Sequence, residues 1–309
     1  MSQPHDLALF TPLLPCDIPE NEGVDRASFF ERSARRYALF KERRALIALC
    51  ILLPLLLFAL LFPLFSSSAY SEVNLAQKNM APSFDHIFGT DDLGRDLATR
   101  CSLGLRISLA IGFLAALLDL LIGFVWGALS GYMGGVIDLV MMRLAELIYS
   151  IPYLLFVIFI TSWLPPGALT LLCAMCLIGW IQMARLVRIE VMTHKKQDYV
   201  LAAEALGVPP HHIVLKHIMP NILGPVIAML ILSISQAIFT EAFLSFLGIG
   251  IQPPQASLGS LVSDGLAALR YYPWRLFFPA GVLSLTILSF HLLADSVKDT
   301  FDPQKSLEL

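Results

Sequence analysis

Residues 199–221 read YVLAAEALGVPPHHIVLKHIMPN, a polar interruption between two long apolar runs. Tyr199, Ala202, Ala203 and Leu206 recur at i, i+3, i+4 and i+7, which sets them on one face of a helix with Glu204 on the other. That face is narrow and made largely of small side chains. Gly207 stands where a helix C′ glycine belongs, Pro209 or Pro210 fits the first turn of a second short helix, and Pro220 is expected to interrupt the chain before the next apolar run. The spacing predicts a hard-edged, two-helix knob at a membrane surface. Two uses stay open on spacing alone: docking into a partner's groove, where alanines let another backbone approach closely, and service as a plain helical connector.

The membrane follows from composition. Of 309 residues, 57% are hydrophobic and 15% charged, with a mean hydropathy of +0.72, against roughly 25% charged in a soluble domain. A formal net charge of −3 and the lack of a basic patch exclude a nucleic-acid partner. The five cysteines form no disulfide framework, and Cys173-x-x-Cys176 sits mid-span with no second pair, so both read as small apolar fillers. A long polar arm precedes the first apolar run, which is unlike a secretory signal.

Apolar runs of about 20 residues, enough to span a bilayer, fall near 45–65, 107–130, 137–162, 166–184, 222–242 and 276–294. The expected fold class is therefore an all-α integral membrane protein with six transmembrane helices. Its parts are an N-terminal arm over 1–43, partly disordered, a membrane domain over 44–297 with its knob at 198–220, and a tail over 298–309. Arg32, Arg35, Arg36, Lys41, Arg43 and Arg44 crowd the approach to the first span, where Phe29, Phe30, Tyr37 and Phe40 form an apolar stripe for the bilayer surface. Arg185, Arg188, Lys195, Lys196 and Lys216 crowd the knob loop. The positive-inside rule then puts both termini and the knob in the cytoplasm.

Within the spans, Gly123, Gly127, Gly131 and Gly135 make a small-xxx-small ridge suited to packing inside this chain or against a second one. Asp119 is an intramembrane carboxylate, read either as a polar packing contact or cavity wall or as part of a relay. With Glu241 and Ser245 it makes the candidate pathway set. Arg143 and Glu146 have ion-pair spacing, Pro152 is expected to kink the third span, and Trp180 with Arg185 and Arg188 reads as an interfacial anchor. Two outer loops, 66–103 and 243–275, exceed mere connectors. In the first, Thr90 or Asp91 is expected to cap a short helix along which Asp92, Arg95 and Asp96 pair; the second has enough glycines and prolines to fold back on the bundle.

The knob resembles the coupling loop of ABC importer permeases, with Ala202, Ala203, Gly207 and Pro220 in register with that family's pattern. Leu201 stands where the family has Glu, His217 where it has Ile, and Met219 where it has Leu. FGTDDLGRD (88–96), SGYMGG (130–135), MMRLAELIYSIP (141–152), EAFLSFLGIG (241–250), FPAG (278–281) and DPQK (302–305) extend the resemblance, in order, to the second permease of oligopeptide and dipeptide importers. The resemblance implies a six-span, type I importer half in a bacterial inner membrane. Its partners would be a homologous permease, two ATPase subunits and an extracytoplasmic peptide-binding protein. Tyr199, Ala202, Ala203, Glu204, Leu206, Gly207 and Pro220 would then contact an ATPase. ATP and magnesium would belong to those partners, since this chain has no G-x-x-x-x-G-K-[ST] loop and is expected to carry no catalytic, cofactor or metal site of its own. Dipeptide, oligopeptide or nickel-chelate cargo all fit the family. Two other classes fit worse: an intramembrane prenyltransferase needs a second aspartate cluster beside Asp91-Asp92, and a secondary transporter favours an internal repeat that is absent here.

Overall fold

The computed structural model describes residues 42–65, 73–165 and 167–301. The basic cluster and aromatic stripe before Glu42, and the 302–305 block, lie outside them. Among the described residues the chain is helical without strands: α1 Arg43–Phe65, α2 Leu97–Met133, α3 Gly135–Tyr149, α4 Tyr153–Trp163, α5 Ala168–Cys176, α6 Trp180–His194, α7 Asp198–Ala205, α8 Pro210–Phe246, α9 Leu258–Ala268 and α10 Trp274–Phe301. Five stretches are each long and apolar enough to cross a membrane, and α3 with α4 makes a sixth if taken as one span.

That sixth span is broken rather than gently kinked, since its halves meet at 78°. Pro152, at ψ 120°, has left the helical region, and its missing N–H cannot continue the ladder. The second span starts ten residues before its apolar run, because Asp96 caps it by accepting from the Thr99 N–H at 2.8 Å. At 37 residues and about 1.5 Å per residue, α2 outruns a hydrocarbon core of about 30 Å and joins the two ends of the molecule.

The glycine ridge packs within the chain. A Cβ on Gly127 would stand 2.4 Å from the Ala184 carbonyl oxygen, and on Gly123 or Gly131 it would stand 2.7 Å from the nearest atom of α6, while Gly135 faces open space. Removing side chains lets α2 and α6 touch backbone to backbone. Trp180 is no interfacial anchor: it is buried against Trp126, 5.1 Å between ring centroids. Arg188 turns to Asp138, with Nε–Oδ1 and Nη2–Oδ2 both at 2.5 Å, and so ties α6 to the start of α3. The expected Arg143–Glu146 pair forms on the surface at 2.8 Å.

At the other end of α2 the expected short helix over 90–96 is replaced by a turn. Asp91 Oδ1 accepts the Leu93 and Arg95 N–H groups, both at 2.9 Å, while Oδ2 takes Arg95 Nε at 2.7 Å and Arg100 Nη1 at 2.6 Å. One carboxylate collecting four donors outcompetes a helix that would have left it in solvent. Burial alone would raise the Asp91 carboxyl, but the Arg95 N–H and the Arg100 charge outweigh it and hold the group below the usual carboxylate range. Arg275 then reaches Asn79 (3.0 Å) and Asp92 (3.3 Å), joining the two outer loops. The second loop does fold back: α9 starts at a Ser257/Ser260 capping box and packs on α10 and α8.

Candidate functional site

Two features stand apart from this packed frame: the knob at one end of the bundle and a cavity within its spans. In the knob, α7 buries Val200 and Ala203 into a core with Val187, Val191, Ile213, Ile218 and Ile222. Ala203, expected on the outward face, instead holds the knob together, because an eight-residue helix anchored through Val200 must also bury the position one turn on. The outward surface consists of Tyr199, Leu201, Ala202, Leu206 and Gly207, and Leu206 keeps 83% of its area exposed.

Gly207 ends α7 as the C′ residue at φ +76°. The Gly207 N–H donates to the Glu204 carbonyl and the Val208 N–H to the Ala203 carbonyl, at 3.0 and 3.1 Å, the paired bonds of a Schellman ending. Pro210 opens α8 as expected of a first-turn proline. Pro220 does not interrupt it: Ile213–Ile218 widen into a π turn and the helix runs on. That shift absorbs the missing Pro220 N–H, and Asn221 Nδ2 satisfies the His217 carbonyl at 2.7 Å. Glu204 turns back to accept from the Tyr132 hydroxyl (2.9 Å), and Lys195 Nζ donates to the Tyr132 carbonyl (2.6 Å), so the knob is fastened to the end of α2.

The cavity, of about 600 Å³, opens between α2, the broken third span, the α5–α6 turn and α8. Asp119 lines it, 7% exposed, and its Oδ1 has no hydrogen-bond partner among the described residues. The hydroxyl of Tyr153, also in the lining, is likewise buried and without a partner among the described residues. Gln182, Gln236, Thr240 and His291 complete a polar lining. These were missed in the sequence, where lone polar residues at 182, 236 and 291 inside apolar spans were the available signal.

Glu241 and Ser245, grouped there with Asp119, do not line the cavity. Both are buried: Glu241 accepts from Ser108 Oγ at 2.6 Å and Ser245 Oγ at 2.8 Å, and Ser245 Oγ also accepts the Ile251 N–H at 3.3 Å. Their hydrogen bonds are spent on joining α2 to α8 and its following loop. Among the described residues no group of three or more His, Cys, Asp or Glu is placed to hold a metal ion.

Five to six apolar helices around a polar-lined cavity define an integral membrane protein. Residues 123–306 match the family of binding-protein-dependent transport system inner membrane components, and residues 28–82 match the N-terminal transmembrane domain of oligopeptide transport permease C. The oligopeptide transport system permease protein OppC of Bacillus subtilis is 48% identical over 263 residues, 85% of this chain and 86% of that one. The dipeptide transport system permease protein DppC of the same organism is 43% identical over 286 residues, 92% and 89% of the two chains. OppC of Escherichia coli is 39% identical over 290 residues, 93% and 95%. The chain belongs to the binding-protein-dependent transport permeases, in their peptide ABC importer branch, and is a transport component rather than an enzyme.

Proposed function

We propose that this permease forms half of the membrane path of an ATP-driven oligopeptide importer in a bacterial inner membrane. It pairs there with a second, homologous permease, and an extracytoplasmic binding protein delivers peptide to the outer loops. Two ATPase subunits hold the ATP and magnesium and dock one on each permease. In this chain they dock on the outward surface of the 198–220 knob, through Tyr199, Ala202, Leu206 and Gly207. Both termini and the knob face the cytoplasm, as the excess of Lys and Arg around 32–44 and 185–216 favours, and 44–297 acts as the membrane domain between arm and tail.

The observation that carries the reading is the exposure of Leu201, Ala202 and Leu206 on a helix locked at both ends, by its buried Val200/Ala203 face and by Glu204–Tyr132. An exposed apolar surface on a rigid mount suits a protein interface. Closure of the ATPase pair would move the mount as a unit and bias the bundle between its two openings. Oligopeptide cargo is favoured by the higher identity to OppC than to DppC of one organism, 48% against 43%.

Leu206→Asp tests the docking. A charge at a docking anchor costs roughly 2 kcal/mol or more, so the variant should reach the membrane in normal amount while losing copurifying ATPase and peptide uptake together. Undiminished ATPase capture by Leu206→Asp would sink the docking surface. Ala203→Glu is a poor test, since it acts first on the core of the knob.

A further inference from the structure

We propose that the Asp119 cavity is a cation-recognising subsite, in which Asp119 and Tyr153 receive the terminal ammonium of a peptide cargo. This rests on the peptide-permease reading above and adds to it the residues and the chemistry of one contact.

The first ground is the pair of orphaned groups. Asp119 Oδ1 and the Tyr153 hydroxyl are both buried without a hydrogen-bond partner among the described residues, and both residues line one cavity. Unpaired buried polar groups are rare because each forfeits its hydration. Two in the lining of one cavity mark a place where a ligand completes the bonding. The second ground is charge: among the described residues neither Lys nor Arg lines the cavity, Gln182, Ser233, Gln236 and Thr240 carry no charge, and His291 supplies an imidazole to the lining. With no Lys or Arg to answer Asp119, a cationic donor fits the unpaired oxygen.

The third ground is that the fold keeps room for this carboxylate. A Cβ at Gly179 would stand 2.3 Å from Asp119 Oδ2, so the glycine in the α5–α6 turn is what lets the side chain lie where it does. The fourth is size. About 600 Å³ is within the roughly 300–1,000 Å³ of sites that take small organic ligands, and exceeds what a bare ion needs. A peptide's ammonium offers N–H donors to Asp119 in a charge-assisted bond, and Tyr153 is free to donate to the first peptide carbonyl.

The test places the complete importer in proteoliposomes and compares ATP-driven uptake of trialanine with that of N-acetyl-trialanine, whose amine carries no charge. Asp119→Asn should lower uptake of the free-amine peptide roughly tenfold relative to the acetylated one, the worth of a charge-assisted bond. Asp119→Glu should recover part of the loss. Equal loss for both peptides, or loss for neither, overturns the subsite. If the wild-type assembly moved no peptide with ATP, the importer reading would fail instead. A second measurement stands apart from transport: Gln236→Cys, in the purified chain with its native cysteines replaced by serine, is treated with cationic and neutral methanethiosulfonates. The cationic reagent should react roughly tenfold faster, in line with focusing of charge by a low-dielectric cleft, and that preference should vanish with Asp119→Asn. A preference untouched by Asp119→Asn overturns the subsite as well.

Discussion

Glu241 and Asp119 are both single carboxylates in long apolar helices, yet their surroundings are opposite. Around Glu241, Ser108 comes from α2 and Ser245 from one turn further along α8, and each hydroxyl donates to a different carboxylate oxygen. Around Asp119 the cavity wall supplies no hydrogen-bond donor to Oδ1, and a glycine stands where a side chain would press on the other oxygen. A buried acid that secures the fold is surrounded by its own donors. One that lines a cavity and keeps an oxygen unpaired is placed for something that comes and goes.

The largest effect expected from this contrast is on Glu241. Glu241→Ala opens a void at a fully buried position and leaves two serine hydroxyls without their acceptor. Together these should cost about 3 kcal/mol, read as an earlier thermal unfolding of the detergent-solubilised chain. An unchanged transition would erase the distinction between the two acids. Next in size is Gly179→Ala, which puts a methyl group against the Asp119 carboxylate. Such overpacking costs typically about 1–3 kcal/mol. Asp119→Ala in the same chain should return most of it, and a coupling below about 0.5 kcal/mol between the two substitutions would mean the strain lies elsewhere.

Much of the frame was legible in the sequence. The six apolar stretches, the C′ role of Gly207 and the first-turn role of Pro210 depend on length, composition and local dihedral preference, which neighbouring residues fix. The glycine ridge was legible as a ridge, but its partner was not, because α6 approaches from some sixty residues away. Ala203 was misplaced because a short helix with two alanines together has no strong apolar face, and the inward side was chosen by Val200 and the distant Val187, Ile213 and Ile222. Pro220 was read as a break because the π turn that accommodates it leaves no mark in composition. The turn around Asp91 was read as a helix for a related reason, since Arg100, which draws that carboxylate away from the solvent, lies nine residues on. Glu241 and Asp119 could not be told apart, because the hydroxyl that most distinguishes Glu241 belongs to Ser108, on another helix.

The smallest expected effect sharpens the contrast most. Asp119→Ala is the same truncation as Glu241→Ala, at a position also buried, and ordinary reasoning about core volume would assign it a similar cost. Here, however, Oδ1 of the removed group has no bond to lose among the described residues, its desolvation penalty disappears with it, and the space left merges with a cavity already open. Stability should therefore change by no more than about 0.5 kcal/mol, or rise slightly, in the same thermal unfolding measurement that registers the loss at Glu241. A drop at Asp119 as large as that at Glu241 would mean that the carboxylate has bonded partners in the assembled protein and serves the fold. A flat result leaves Asp119 as a group whose retention costs the bundle stability, and retention of that kind is accounted for by a ligand and not by packing.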